Sequence, residues 1–382
     1  MWLKIKGFFI GLDVTLLLLT FLLMCIGLAE IYSSALTRPE LLPFFWRQLS
    51  AAGLGLVALL VISLVDYRIY RSWSRLIYFG GLVLLVAVLL FGQTVRGTTG
   101  WFNLGYFNFQ PVELVKFFWV IVLAGYLAQA GPPLTWSKTF WATVLLLPLV
   151  FLILVQPDFG SAFLLLSVWG VLLAAVPKTK QWWFVMLGLV AVVALVGSFF
   201  LKDYQRQRLS NLFNPQSDRL GSGYNVTQSV IAVGSGGLWG RGLGLGTQSQ
   251  LKFLPEQHTD FIFASIAEEL GLIGSLLVLT LWGAWFGRLV WLLRRLRDDF
   301  AVLLAVGIFS IFATQVTFNI GMNIGLFPVV GLTLPFLSYG GSSLIMSLAA
   351  VGILLNLFRH YGRGAPQEAL PEIDRRASSL VL

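Results

Sequence analysis

Ten long apolar runs, joined by mostly short polar segments, set the pattern of this chain. A helix needs about 20 apolar residues to cross the hydrocarbon core of a bilayer. The pattern therefore predicts an all-α polytopic membrane protein with about ten transmembrane helices, at residues 9–32, 43–65, 76–92, 112–130, 139–155, 159–176, 181–201, 261–287, 301–323 and 337–358. One long glycine-rich loop, at about residues 202–260, separates the seventh and eighth spans. Residues 1–362 are expected to form a single transmembrane domain, and residues 363–382 a disordered tail.

The composition agrees with a membrane setting. Hydrophobic residues make up 57% of the chain and charged residues 11%, whereas soluble domains average about 45–50% and 25%. Cys25 is the single cysteine, so the chain has no disulfide framework of its own. With two histidines in the whole sequence, a His-based metal site is not favoured.

The positions of Lys and Arg predict the orientation of the spans. With the N-terminus in the cytoplasm, 16 of the 26 Lys and Arg residues fall on the cytoplasmic side, while the short segments opposite carry Arg38, Arg47 and Arg96. Cytoplasmic loops carry the excess of positive charge, so both termini are predicted to be cytoplasmic and the long loop to face outward. The net charge of +9 then meets anionic membrane lipids and requires no nucleic acid partner.

The strongest candidate for chemistry lies in the segment LPEQHTDFIFASIAEELG, residues 254–271. This segment closes the long loop and enters the eighth span, which puts Asp260 where water meets hydrocarbon. A carboxylate at that boundary is costly to bury and has no packing role, so Asp260 is predicted to react or to bind a cation. Such a position suits a substrate reached from both phases, such as a lipid with a polar head.

A second candidate opens the fourth span. In FQPVELVKFFW, Glu113 and Lys116 are separated by three residues, so they share a helix face and can form an ion pair. An ionisable pair at membrane depth indicates a functional site. A purely structural bridge is the alternative.

The long loop offers two further candidates for contact with phosphate. Arg206 and Arg208 follow the seventh span, where they could snorkel to lipid phosphates or bind a substrate pyrophosphate. The glycine-rich stretch after them could cradle a phosphate or a sugar, or serve as a flexible or re-entrant connector. In the turn at 156–160, Asp158 is expected to cap the helix that follows.

Near the C-terminal end, the stretch GLFPVVGLTLPFLSYGGSS combines prolines and glycines with Ser338 and Ser342, which are candidate substrate contacts. Proline and glycine at membrane depth predict a re-entrant or broken element that lines a cavity. A kinked helix is the competing interpretation.

Several motifs occur in order over nearly the whole chain: FQPVELVK, QPDFGSA, GSGYNVTQS with GSGGLWGRG, LPEQHTDFIFASIAEELG and LPFLSYGGSS. Together they resemble the SEDS family (shape, elongation, division and sporulation) of peptidoglycan polymerases. The short N-terminus and the stretch around LPFLSYGGSS are more similar to the elongation (RodA) type than to the division (FtsW) type. Two positions depart from the family pattern, since Gly100 stands where Arg is usual and Val112 where Ser is usual.

This resemblance implies a glycosyltransferase that polymerises lipid II into β-1,4 glycan at the outer face of the bacterial cytoplasmic membrane, for cell elongation and rod shape. It also implies a partner, a class B penicillin-binding transpeptidase that crosslinks the strands. The functional carboxylate of the family falls on Asp260, and its Glu/Lys pair falls on Glu113 and Lys116.

The chemistry of this reaction fits those residues. Lipid II carries an α-linked pyrophosphate, so one displacement with inversion gives the β-linkage, with Asp260 as the general base for the attacking hydroxyl. Cations must stabilise the departing pyrophosphate, and the candidates are Lys116, Arg206 and Arg208, or a divalent cation such as Mg²⁺ or Mn²⁺.

Two other functions stay open on the sequence. One is a lipid II flippase or secondary transporter, which would also use ionisable residues and broken helices. The other is a non-catalytic scaffold that positions the transpeptidase. A transporter concentrates charge at the membrane midplane, whereas the Asp, Arg and Gly residues of this chain concentrate on one outer face.

Overall fold

The computed structural model describes residues 13–95, 97–178, 182–183, 222–250, 253–254 and 256–362. In chain order its helices are α1 (Val14–Thr37), α2 (Leu42–Leu64), α3 (Tyr67–Ser72), α4 (Ser74–Phe91), α5 (Pro111–Ala130), α6 (Trp136–Val155), α7 (Phe159–Ala175), α8 (Ser222–Ser235), α9 (Thr247–Gln250), α10 (Ile262–Leu293), α11 (Asp299–Asn323) and α12 (Gly341–Gly362). A 3-10 turn, Pro39–Leu41, joins α1 to α2.

Within these ranges, eight helices are long and apolar enough to cross a membrane, and α7 is an apolar helix of 17 residues. Nine of the ten predicted spans therefore coincide with helices, which confirms the all-α polytopic prediction. The tenth, at 181–201, falls outside the described residues except for Trp182 and Trp183, as does the whole predicted tail at 363–382. The long loop contains the helices α8 and α9 in its described part.

Several helices begin at an aspartate that accepts a hydrogen bond from the first turn. Asp13 caps α1 through Leu16 N at 2.8 Å, and Asp298 caps α11 through Ala301 N at 3.0 Å. Such caps satisfy N–H groups that have no partner within the helix. They fix the helix starts that the hydrophobic pattern alone places within a few residues.

Burial separates the centre of the bundle from its rim. Over its most apolar 18 residues, α5 is 78% buried, whereas α4 is 17% buried and exposes large apolar side chains such as Phe79, Leu90 and Phe91. A helix that is apolar on all sides and enclosed by others belongs to the core of a bundle, whereas exposed apolar faces meet lipid. The ionisable residues of α5 are therefore held in the interior.

Helix α10 is interrupted at Gly271, whose φ of 68° and ψ of −161° are not helical. From Ile262 to Glu269 the helix is buried, and beyond the interruption Leu272 and Ile273 are about half exposed. Leu272 N donates to Gly237 O at 2.9 Å, so the glycine-rich loop lies against the break. A Cβ atom at Gly271 would collide with the backbone of Gly240, which leaves glycine as the residue that fits.

A small antiparallel sheet, which the sequence analysis did not predict, joins α4 to α5. Its strands are β1 (Gln93–Val95), β2 (Thr98–Asn103) and β3 (Asn108–Phe109), in the order β1-β2-β3. Gly97 and Gly105, with φ of 82° and 83°, form the two turns. The sheet covers one side of the site described below.

Candidate active site

A cavity of about 990 Å³ lies at one end of the bundle. The starts of α2, α5, α7 and α12 line it, together with the turn before α10 and the small sheet. This volume lies at the upper end of the range of about 300–1,000 Å³ for small-molecule sites. Of the predicted site residues, Glu113, Lys116, Asp260 and Ser342 line the cavity.

Asp260 lies in a turn, residues 256–261, just before α10, and is partly buried. Two buried asparagines of α11 hold its backbone, since Asn319 Nδ2 and Asn323 Nδ2 donate to Asp260 O at 3.1 and 3.0 Å. Asn323 Oδ1 also accepts from Ala264 N at 2.9 Å, in the first turn of α10. One asparagine thus holds both the turn and the helix that follows it, so the Asp260 carboxylate starts from a fixed backbone.

The other side of this turn is held by the non-helical segment between α11 and α12. Ser338 Oγ donates to Thr259 O at 2.7 Å and accepts from Leu334 N at 2.8 Å. Tyr339 N donates to His258 O at 2.7 Å. The structure therefore places Ser338 behind the turn, where it is 4% exposed, and it does not line the cavity.

Residues 324–340 are not helical, so the Pro- and Gly-rich stretch is a broken element that lines a cavity, as predicted, and α12 begins four residues later than the predicted span. Ser342, in the first turn of α12, is part of the cavity wall. Its Oγ donates to Asn108 O at 3.0 Å and accepts from Gln110 N at 3.1 Å. Ser342 thereby ties α12 to β3 and to the start of α5.

Glu113 and Lys116 form an ion pair, with Lys116 Nζ 2.6 Å from Glu113 Oε1. Both side chains are buried, and both also line the cavity wall. Glu113 lies in the first turn of α5, where the helix dipole favours a carboxylate. The pair is neutral as a whole, yet it brings an ammonium group with three donors to the edge of the cavity.

Three further charged residues line the cavity, namely Arg47, Asp158 and Glu256. Asp158 caps α7 as predicted, accepting from Ser161 N at 2.9 Å. Arg47, in the second turn of α2, was not identified as a site residue by sequence reasoning. A charged residue near the start of an apolar span was the signal that could have found it.

The remaining candidates are Arg206, Arg208 and the glycine-rich stretch. Arg206 and Arg208 lie outside the described residues. The glycine-rich stretch packs its backbone on α10, where Arg241 N and Gly242 N donate to Glu268 O and Glu269 O, both at 3.0 Å. Of its described part, Asn225 lines the cavity, whereas the residues around Arg241 connect to α10. Among the residues that the structure describes, no three His, Cys, Asp or Glu side chains come together as a metal-binding group.

Comparison with known proteins gives a consistent result. The family model described as cell cycle protein, FtsW/RodA/SpoVE, matches residues 12–362. The peptidoglycan glycosyltransferase MrdB of Escherichia coli (strain K12) is 38% identical over 354 residues, which is 92% of this chain and 94% of the relative.

Two solved structures have the same fold over 92% of this chain and 98% of their own. One is described as the structural coordination of polymerization and crosslinking by a peptidoglycan synthase complex, with a TM-score of 0.78 and 34% identity. The other is the crystal structure of the rod shape determining protein RodA of Thermus thermophilus, with a TM-score of 0.69 and 30% identity.

Proposed function

The chain belongs to the FtsW/RodA/SpoVE family, the SEDS family, and we propose that it is a peptidoglycan glycosyltransferase of the elongation type. Its substrate is lipid II, which it polymerises into β-1,4 glycan. The observation that carries the proposal is that one cavity is lined both by Asp260, whose backbone is held by two asparagines, and by a buried ion pair, Glu113 and Lys116.

Asp260 is the general base in this proposal. It removes the proton from the attacking sugar hydroxyl, whose oxygen forms the new bond to the anomeric carbon of the donor sugar. The bond from that carbon to the pyrophosphate breaks, and its electron pair leaves with the pyrophosphate, so the configuration inverts. A positioned base typically contributes about 10²–10⁴-fold. A pyrophosphate leaves as an anion, so no general acid is needed.

The developing charge on the pyrophosphate requires cations. Lys116 is in the cavity wall and can meet a phosphate oxygen as its contact with Glu113 loosens. Arg206 and Arg208 stay predictions for the same role. Mg²⁺ or Mn²⁺ also stays a prediction. The described residues offer no group of three His, Cys, Asp or Glu side chains, so phosphate oxygens of the substrate would have to supply some of the metal ligands, a common arrangement for Mg²⁺.

We propose that the protein spans the bacterial cytoplasmic membrane with both termini in the cytoplasm, and the Lys and Arg bias supports this orientation. That orientation puts the cavity at the outer end of the bundle, where a lipid-linked sugar would be polymerised. One of the similar solved structures is described as a peptidoglycan synthase complex that coordinates polymerization and crosslinking. It supports a class B penicillin-binding transpeptidase as the partner of this chain.

The test uses purified full-length protein in detergent with lipid II, with and without the transpeptidase. We expect glycan chains on a gel, because a polymerase needs no membrane compartment. A flippase or a scaffold makes no glycan under these conditions. Absence of glycan in both samples would contradict the proposal, provided that the protein is folded and that, in the sample with the transpeptidase, the two proteins are bound.

A further inference from the structure

Arg47 lies on the cavity wall, and the mechanism above does not use it. We propose that its guanidinium binds the pyrophosphate of the lipid-linked substrate. This inference rests on the proposed function and adds a specific residue to its phosphate side.

The position of Arg47 relative to Asp260 is fixed by its neighbours on α2. Phe44, three residues earlier on the same helix face, also lines the cavity, and its ring lies 5.1 Å from the ring of His258 and 5.0 Å from that of Tyr339. Gln48 Nε2 donates to Ser338 O at 3.0 Å. The face of α2 that carries Arg47 is thus packed beside the turn that carries Asp260.

The guanidinium of Arg47 is available for a ligand. Within the described part of the chain, it makes no ion pair or hydrogen bond, and its Cζ lies over the ring of Tyr106, 5.9 Å from the ring centroid. Other cations of the bundle are engaged, since Lys116 pairs with Glu113 and Arg288 with Asp13, each at 2.6 Å. An arginine that is partly buried in a cavity without an anionic partner is suited to an anion supplied from outside.

The charge of the cavity gives Arg47 a specific role. Among the described lining residues, the acidic ones are Glu113, Asp158, Glu256 and Asp260, and the basic ones are Arg47 and Lys116. A pyrophosphate would be repelled from this surface except beside the two cations. Because Lys116 already shares its charge with Glu113, Arg47 is the stronger anchor.

A guanidinium matches phosphate oxygens with two parallel N–H donors. It holds the pyrophosphate before the reaction and stabilises its charge as the bond to the sugar breaks. Arg47 itself gives up no proton in this step, because a guanidinium stays protonated. The proposal therefore predicts a defect in binding that can be measured without any glycan synthesis.

The experiment measures binding of a polyprenyl pyrophosphate to full-length Asp260→Asn protein in detergent, which separates binding from chemistry. Adding Arg47→Gln should weaken the affinity by on the order of 10- to 100-fold, the usual effect of losing a charge-assisted bidentate contact. The affinity of the Arg47→Lys variant should fall between that of the Asp260→Asn parent and that of the Arg47→Gln variant. The matched control is Arg241→Ala, which removes an exposed arginine outside the cavity.

Two comparison ligands define what is recognised. The free polyprenyl alcohol should bind all variants equally, and inorganic pyrophosphate should bind weakly but with the same dependence on Arg47.

The outcomes separate this inference from the proposed function. If Arg47→Gln and Arg47→Lys proteins bind the polyprenyl pyrophosphate as well as their Asp260→Asn parent, the inference is wrong and the glycosyltransferase stands. An equal loss in the Arg241→Ala control would also overturn it. If folded parent protein does not bind the polyprenyl pyrophosphate, the proposed function itself is contradicted.

Discussion

Acidic side chains occupy two regions near the start of α10, and the two are held in different ways. Asp260 lines a cavity of about 990 Å³. Glu30, Glu268 and Glu269, which we call the carboxylate trio, lie at 3%, 0% and 0% exposure and do not line that cavity.

Donors of the protein surround the trio. Ser33 Oγ and Gly244 N donate to Glu269 Oε2 at 2.5 and 3.0 Å, and Gln248 N donates to Glu268 Oε1 at 2.8 Å. The trio therefore fastens the glycine-rich loop and α1 to α10. The lesson is that charge at membrane depth indicates a reaction site when it faces open space, and a structural link when the protein fills its surroundings.

The largest effect is expected for Asp260. Asp260→Ala should insert and still bind the transpeptidase but lose about 10²–10⁴-fold in glycan synthesis, because the base is gone. Asp260→Glu keeps the base but displaces it by about 1 Å, which can cost about 10²-fold. Rates of glycan formation from lipid II measure both. Asp298→Asn, at a helix cap outside the cavity, is the matched control and should stay active.

A smaller loss is expected for the ion pair of α5. Lys116→Ala should reduce glycan synthesis by on the order of 10- to 100-fold without preventing insertion, since a charged contact to phosphate is lost. The charge-swapped variant Glu113→Lys with Lys116→Glu separates the two interpretations. We expect it to stay inactive, whereas recovery would reduce the pair to a structural bridge. Lys138→Ala, which removes a lysine that binds Gly131 O, is the control.

Positioning of the turn should matter less than the base itself. Asn323→Ala removes the contacts to Asp260 O and Ala264 N, so we expect kcat to fall about tenfold with little change in KM. Asn356→Ala is matched to it, because Asn356 is equally buried and bonds Tyr67 N and Ser63 O away from the cavity. It should lower thermal stability to a similar extent and leave kcat intact. Equal loss of kcat in both would show a general effect of destabilisation.

The smallest effect on rate is expected in the carboxylate trio. Glu269→Ala leaves the donors Ser33 and Gly244 N without their acceptor, which should destabilise the fold by about 2–4 kcal/mol. The rate per folded molecule should stay close to wild type. Thermal unfolding in detergent and the rate of the folded fraction test this together. A specific rate as low as that of Asp260→Ala would bring the trio into the reaction.

The fold was largely predictable because length and hydropathy decide what can cross a bilayer. The small sheet was not, since strands of three, six and two residues leave too weak a pattern between two long apolar helices. The break at Gly271 was not predictable either. It depends on the loop around Gly240, which approaches from a distant part of the sequence.

The site could be predicted only in part. Asp260, Glu113 and Lys116 stand out because ionisable groups at a membrane boundary are rare. That they line one cavity with Ser342 follows from tertiary packing, which one sequence does not contain. Ser338 was predicted to contact substrate, but its hydroxyl holds Thr259 O behind the turn.

The central claim is that Asp260 acts as a base in the cavity. The most direct test is the initial rate of glycan synthesis by purified, folded Asp260→Asn protein with lipid II, in complex with the transpeptidase. Asparagine keeps the shape of the side chain and removes its basicity and charge. We predict a rate at least about 10²-fold below wild type. A rate near that of wild type would contradict the account and leave Asp260 as a polar residue before a helix.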